Sequence, residues 1–255
     1  MSEALDRGRL RDYTNARVGL RRAGTSLATA ELLDMASCLA EARDAVHAEL
    51  SVISLRRHLE ELGLPIFSVR SAVGGRGEYL RRPDLGRRLS AGAKELLEQA
   101  GVEARLLVIV VADGLSAIAI ERHAGPVLGA LLPLLEGWAV GPLVIAEQAR
   151  VAIGDEIGEL LGAAATLLLI GERPGLSSPD SMGAYITWAP RVGRSDAERN
   201  CVSNIRPEGL GYSVAAGKIA GYLAQARRFQ LTGVALKEET LQIGIEGTPL
   251  PPPNL

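Results

Sequence analysis

Leu106-Leu107-Val108-Ile109-Val110-Val111-Ala112, followed at once by Asp113-Gly114-Leu115-Ser116, decides the fold of this chain. Seven apolar residues in a row, most of them aliphatic or β-branched, mark a strand covered on both faces, as in a parallel sheet between helices. The Asp-Gly turn and the serine after it are signals that end a strand and open a helix. The same alternation continues downstream. Residues 142–146 and 165–170 read as further buried strands, and residues 183–188, more alternating, as a strand nearer an edge. Between them, residues 154–161 predict a short helix with Asp155 and Glu156 in its first turn, where the helix dipole favours acids. Residues 212–231 predict a long one. Ser195 and Glu198 have capping-box spacing and predict another helix start. Strands alternating with helices imply crossover connections and a mainly parallel sheet.

Upstream of residue 101 the pattern is helical. Residues 29–50 place Leu32, Met35, Ala36, Leu39, Val46 and Leu50 on one face. A second helix follows near Ser51, and Gly63 and Pro65 stop it. Residues 71–89, rich in Gly and Arg, read as a connector without a strand. A short helix then starts at Ser90, a suitable N-cap. Residues 1–20 are polar, and the tail, with Pro251-Pro252-Pro253, predicts extended, mobile chain. The expected fold is therefore α/β: an N-terminal helical domain with an Arg-rich connector (1–100), then a Rossmann-like domain with a mainly parallel sheet and a Pro-rich tail (101–255).

Composition narrows the function. The 255 residues are 47% hydrophobic and only 4% aromatic, so the core must be aliphatic. A net charge of −2 gives no global field for nucleic acid or an anionic membrane. Charge is nonetheless uneven: residues 1–90 hold 15 Arg, no Lys and 12 acidic residues. Arginine suits gripping carboxylates at an interface. Cys38 and Cys201 are far apart and His47, His58 and His123 are scattered, so neither a zinc framework nor a disulfide scaffold is expected. No apolar signal core occupies the first 20 residues and no apolar run reaches membrane-spanning length, which predicts a cytoplasmic protein.

In an α/β sheet, ligands bind beyond the carboxyl ends of the strands. The positions to inspect are thus 113–116, 147–151 and 171–175. The first turn has one glycine where a dinucleotide fingerprint needs three, which disfavours a nicotinamide or flavin cofactor. Asp113 reads either as a turn carboxylate or as a ligand acceptor. Gly171-Glu172-Arg173-Pro174-Gly175 presents Glu172 directly after a buried strand, either facing a ligand or paired with Arg173. Cys201 lacks a neighbouring histidine to activate it and reads as a core or ligand-lining thiol. The small residues Ala215, Ala216 and Gly217 suit close packing on the sheet or on a flat cofactor, with packing the simpler use. Arg81 to Arg88 could bind phosphate or a partner's carboxylates.

Several segments together resemble one family. They are Arg22-Ala23-Gly24-Thr25, Arg82-Pro83-Asp84-Leu85-Gly86-Arg87-Arg88-Leu89, the Ala-Asp-Gly-Leu-Ser-Ala containing Ser116, Ala149-Arg150-Val151, and Asp155-Glu156-Ile157-Gly158-Glu159. Gly171-Glu172-Arg173-Pro174-Gly175-Leu176 and Cys201-Val202-Ser203-Asn204-Ile205 follow in order. Over about residues 17–230 the sequence resembles the small subunit (light chain) of ethanolamine ammonia-lyase. The resemblance implies an adenosylcobalamin-dependent lyase that converts ethanolamine to acetaldehyde and ammonia by radical chemistry. It implies a large (β/α)8-barrel partner subunit that holds the substrate and the catalytic groups. It implies cobalamin-contacting positions at Val151, Glu172 and Cys201, with Asp113 and Arg150 behind them, no catalytic residue on this chain and no metal ligand from it. The Asp-x-His-x-x-Gly motif that gives cobalt a histidine elsewhere is missing, so base-on cobalamin is expected. Some family members carry a longer N-terminal extension linked to microcompartment encapsulation, and the stretch before Arg17 is short. The alternative is a non-catalytic Rossmann-like adaptor or a nucleotide-binding protein.

Overall fold

The computed structural model describes residue 14 and residues 16–100 and 106–236. The Pro-rich tail and nearly all of residues 1–15 lie outside the described residues. A two-stranded ribbon comes first, β1 (Arg22–Ala23) and β2 (Ser26–Leu27), turned at Gly24 with φ 65°. Helices α1 (Thr29–His47) and α2 (Val52–Glu60) follow, then strand β3 (Ile66–Arg70) and short helices α3 (Arg76–Arg81) and α4 (Ala91–Glu98). The alternating part runs β4 (Leu107–Ala112), α5 (Ala117–Leu131), β5 (Val140–Glu147), α6 (Ile153–Leu160) and β6 (Ala165–Gly171). It ends with β7 (Met182–Trp188), β8 (Asn200–Ile205) and α7 (Tyr212–Phe229).

The fold is α/β, built on one six-stranded sheet of order β3-β5-β4-β6-β7-β8. The first four of these strands are parallel, and β7 and β8 add antiparallel pairs. The sheet is therefore mixed. Helices α5 and α6 supply the crossovers that parallel pairing requires, whereas no helix separates β6 from β7. A link without a crossover returns the chain antiparallel.

Every residue of β4 and β6 is buried. Alternate β4 side chains serve two cores, as the period of a strand dictates. Leu107, Ile109 and Val111 pack with α2, α5 and α7 on one face. Val108, Val110 and Ala112 pack with α4 and α6 on the other. Ala215 and Ala216 are fully buried in the first core, so the small residues of α7 serve helix–sheet packing.

Four features depart from the sequence expectation. Strand β3, from the segment assigned to helices, pairs in register with β5 and forms the sheet edge. Its burial is half-hearted, which is why no buried-strand pattern announced it. The connector contains α3 and a 3-10 turn, and it buries Tyr79 completely. The capping box at Ser195 is real, with the Glu198 carboxylate accepting from the Ser195 backbone N–H at 2.8 Å, yet it starts only a single 3-10 turn. The chain then enters β8, whose pairing with β7 replaces helix continuation. Finally, the apolar face read over residues 29–50 is covered only in part: Leu32 and Leu39 are exposed, Met35 and Val46 are half-buried, and Leu50, just beyond α1, packs into the core.

Candidate functional site

The carboxyl ends of β4, β5 and β6 meet at one edge, and close backbone contact holds them there. Gly114 has φ 56°, and a Cβ on it would lie 2.2 Å from the Gly171 carbonyl oxygen. Gly171 in turn has the Ser116 carbonyl oxygen where its own Cβ would stand, 2.1 Å away. Only glycine at both positions lets the β4–α5 turn press against the end of β6. The Leu115 N–H donates to the Gly171 carbonyl at 3.0 Å, and Ser116 caps α5 by accepting from the Ala119 N–H.

Asp113 closes β4 and is fully buried. Its carboxylate accepts from the backbone N–H groups of Gln148 at 2.9 Å and Ala149 at 3.0 Å. Arg76, from the connector, approaches it at 3.4 Å and donates to the Gly114 carbonyl at 2.9 Å. Burial pushes the Asp113 pKa up to about 6 against the pull of these donors. Of the two readings of Asp113, the structure selects the turn carboxylate. Its carboxylate turns back to the backbone and fastens the loop that presents Arg150 and Val151. The same loop is held from the connector side. The Ser71 hydroxyl donates to the Gln148 carbonyl at 2.8 Å, the Tyr79 hydroxyl donates to the Ala149 carbonyl at 2.9 Å, and the Arg150 N–H donates to the Gly86 carbonyl at 2.7 Å. The Arg150 guanidinium lies over the Tyr79 ring, 4.1 Å from its centroid.

Glu172 leaves β6 half-buried. One carboxylate oxygen accepts from the Ser181 hydroxyl at 2.7 Å and the Asn204 N–H at 3.2 Å, and the other accepts from the Ser203 hydroxyl. A carboxylate has about four acceptor positions. Three fixed donors therefore orient the group and leave it capacity for another. Arg173 is exposed and forms no ion pair with Glu172, so the surface-pair reading of these neighbours is set aside. The loop beyond is fastened by Arg122, whose guanidinium meets Asp180 at 2.9 Å, and by the Ser116 hydroxyl donating to the Pro179 carbonyl at 3.0 Å.

Val151 and Glu172 line one cavity of about 390 Å³, together with Tyr79, Leu115, Arg150 and Tyr185. Cys201 stands on the next cavity, of about 530 Å³, with Lys218 and Tyr222. Ser203 lines both. Cys201 pairs across the sheet with Tyr185. Enclosure of its sulfur and the nearby Glu172 charge push the thiol pKa up, against a hydrogen bond from Tyr185. It is thus a neutral thiol near neutral pH, unsuited to nucleophilic attack. His47 and His58 are exposed. His123 is buried, bonds Tyr212 at 2.9 Å and is held toward its neutral form by burial. Among the described residues no cluster of histidine, cysteine and carboxylate side chains could hold a metal ion. No helix among them is long and apolar enough to cross a membrane.

Glu172, singled out by its place after a buried strand, and Val151, named through the resemblance alone, come together on one cavity, whereas the groups that fix them were missed. Tyr79 carried one signal, as the only aromatic residue in an Arg- and Gly-rich connector. Ser181 and Ser203 carried none, because their role depends on three strands meeting.

The chain was compared with known proteins. Residues 6–237 match the family model of the ethanolamine ammonia-lyase light chain (EutC). A relative from Azotobacter vinelandii, an ethanolamine ammonia-lyase small subunit, is 51% identical over 250 residues, covering 96% of this chain and 93% of its own. Small subunits bearing the same name from Xanthomonas campestris pv. campestris and Rhodopseudomonas palustris are 52% and 53% identical, covering 91% of this chain and 87% and 90% of theirs. Matches of this extent, over the segments that build the sheet edge, place the chain in the ethanolamine ammonia-lyase light-chain family.

Proposed function

We propose that this chain is the small subunit of an ethanolamine ammonia-lyase, working in the cytoplasm, and that its sheet edge binds and orients adenosylcobalamin against a large (β/α)8-barrel subunit. The observation that carries the reading is the pairing of Val151 with an oriented, half-buried Glu172 on one cavity beyond the strand ends. A corrin ring has an apolar face and a rim of amide groups. Glu172 would accept from those amides, Val151 would give apolar contact, and Cys201 would extend that contact through its neutral thiol. The residues present therefore fit the cofactor. When bound, adenosylcobalamin supplies a cobalt–carbon bond as the radical source.

The residues of this chain position and enclose. Asp113, Ser71 and Tyr79 hold the 148–151 loop, and Ser181 and Ser203 hold Glu172. Among the described residues no group at the edge pairs a nucleophile with a base, and in this reading substrate chemistry belongs to the partner. The exposed apolar residues of α1, Leu32, Leu33 and Leu39, support a covered surface in a hetero-oligomer. In this reading the chain divides near residue 100 into a helical part and a Rossmann-like part. The three parallel strands β4, β5 and β6 with α5 and α6 between them support the second, while β3 ties the first into the same sheet.

The test is aldehyde release from ethanolamine and adenosylcobalamin by the large subunit, with and without this chain. Turnover only when both are present supports the proposal. Full turnover by the large subunit alone contradicts it.

A further inference from the structure

A second cavity adjoins the first. It encloses about 460 Å³, and Arg150, Val151 and Tyr185 line both. Its walls are unlike those of its neighbour: Arg87, Arg150, Arg194 and Arg199 converge there, with Asp196 as the one acidic lining residue. Two of the four arginines are compensated within the fold. The Arg194 guanidinium pairs with Glu198 at 2.5 Å and donates to the Ala189 carbonyl at 3.0 Å. Arg199 is buried, pairs with Asp155, and meets Asp196 at 2.9 Å, so its charge is balanced although its Nε is buried without a hydrogen-bond partner. The other two have no carboxylate. Arg87 is exposed and forms no ion pair with any described residue. Arg150 stacks on Tyr79 and donates to its carbonyl at 3.2 Å, and its Nε is buried without a hydrogen-bond partner. A buried donor left unpaired is costly, and a guanidinium fork matches the oxygens of a phosphate.

We infer that the arginine-lined cavity seats a phosphodiester, that of the nucleotide tail of the corrinoid whose amide rim faces Glu172. The inference rests on the cobalamin reading above and deepens it. The two cavities then divide one ligand by charge. The carboxylate lies on the side of the amide donors, and the unpaired guanidiniums of Arg87 and Arg150 lie on the side of the single anion. Arg194 and Arg199, locked by their own acids, shape the wall.

Dicyanocobinamide keeps the corrin ring and amides but lacks the phosphate and nucleotide, so it separates the two halves. The experiment is equilibrium binding of cyanocobalamin and of dicyanocobinamide, followed by absorbance, to the complex of this chain with the large subunit. Arg87→Gln, at an exposed position, should leave the melting temperature unchanged. Arg87→Gln, which touches only the arginine-lined cavity, is expected to weaken cyanocobalamin binding roughly 10-fold or more, the scale of a lost charge-assisted hydrogen bond, and to leave dicyanocobinamide within about twofold, while Arg150→Gln, whose side chain also lines the corrin cavity, should weaken both ligands but cyanocobalamin by the larger factor. Glu172→Gln should weaken both ligands alike. Equal losses for both ligands in the arginine variants, or none for cyanocobalamin, overturn the inference. So does weakened subunit assembly with both affinities unchanged in the complex that forms, since Arg87 then serves the partner's carboxylates. Failure of the unmodified complex to bind either corrinoid overturns the cobalamin reading itself, and the phosphodiester seat with it.

Discussion

Gly114 and Gly171 press against each other beneath the proposed site, and neither has room for a Cβ. At Gly114 the positive φ adds strain to the clash. Gly114→Ala is expected to destabilise the fold by about 2–4 kcal/mol, measured by urea unfolding. Gly24, which also has a positive φ but nothing within 4 Å of a Cβ, should tolerate alanine at lower cost. Glu172 was legible in the sequence because a charged residue directly after a buried strand is placed by rigid backbone. What holds it was not. Ser181 and Ser203 come from across a loop and from another strand, and no local spacing links them. Asp113 was legible as a residue of the edge but not in its direction. A carboxylate after a strand can point to a ligand or back to the backbone, and only the neighbouring loop decides.

The 148–151 loop is the element on which the site depends. It is fastened by side chains from the connector and from β4, so loosening it should impair cofactor binding from a distance. Tyr79→Phe removes the hydrogen bond to the Ala149 carbonyl while keeping the ring under Arg150. It is expected to cost about 1 kcal/mol in urea unfolding, by the usual net worth of a buried hydrogen bond. Asp113 adds a pH dependence. Its folded pKa, about 6, lies above the ordinary carboxylate value of 3.8. The folded state therefore holds the proton more tightly, and the stability contributed by Asp113 declines as pH rises from about 4 to about 6. His123 acts in the opposite sense. Its pKa is lowered by burial, so its contribution is lost as pH falls through the ordinary histidine range. The wild-type curve mixes the two. The difference in unfolding free energy between wild type and Asp113→Asn isolates the first. The advantage of aspartate over asparagine should shrink between pH 4 and 6, and an advantage that grows would contradict the assignment. The elements themselves were readable where periodicity was strong, at β4, β6 and α7. Strand β3 and helix α3 were not, because the strand is only half covered and the helix is six residues long, with a glycine and two arginines among them.

At the scale of the molecule, the sheet is well buried while α1 shows Leu33 at 66% exposure and α2 shows Ile53 at 78%. The apolar stripe on α1 was legible in the sequence as a stripe, but its cover was not, since periodicity reports that a face wants cover and not which chain provides it. If the partner subunit covers it, changing Leu33 and Leu39 to serine should leave the melting temperature of the lone chain nearly unchanged. The same change should weaken co-purification with the large subunit. An unaltered complex would place the interface elsewhere.

The most direct measurement of the account is a titration of adenosylcobalamin into the two-subunit enzyme, wild type against Glu172→Gln, reading aldehyde release. The account predicts a KM for the cofactor raised roughly 5- to 150-fold, the loss of one polar contact worth about 1–3 kcal/mol, with kcat little changed. An unchanged KM, with the variant folded and assembled, would contradict the claim that this edge of the sheet holds cobalamin.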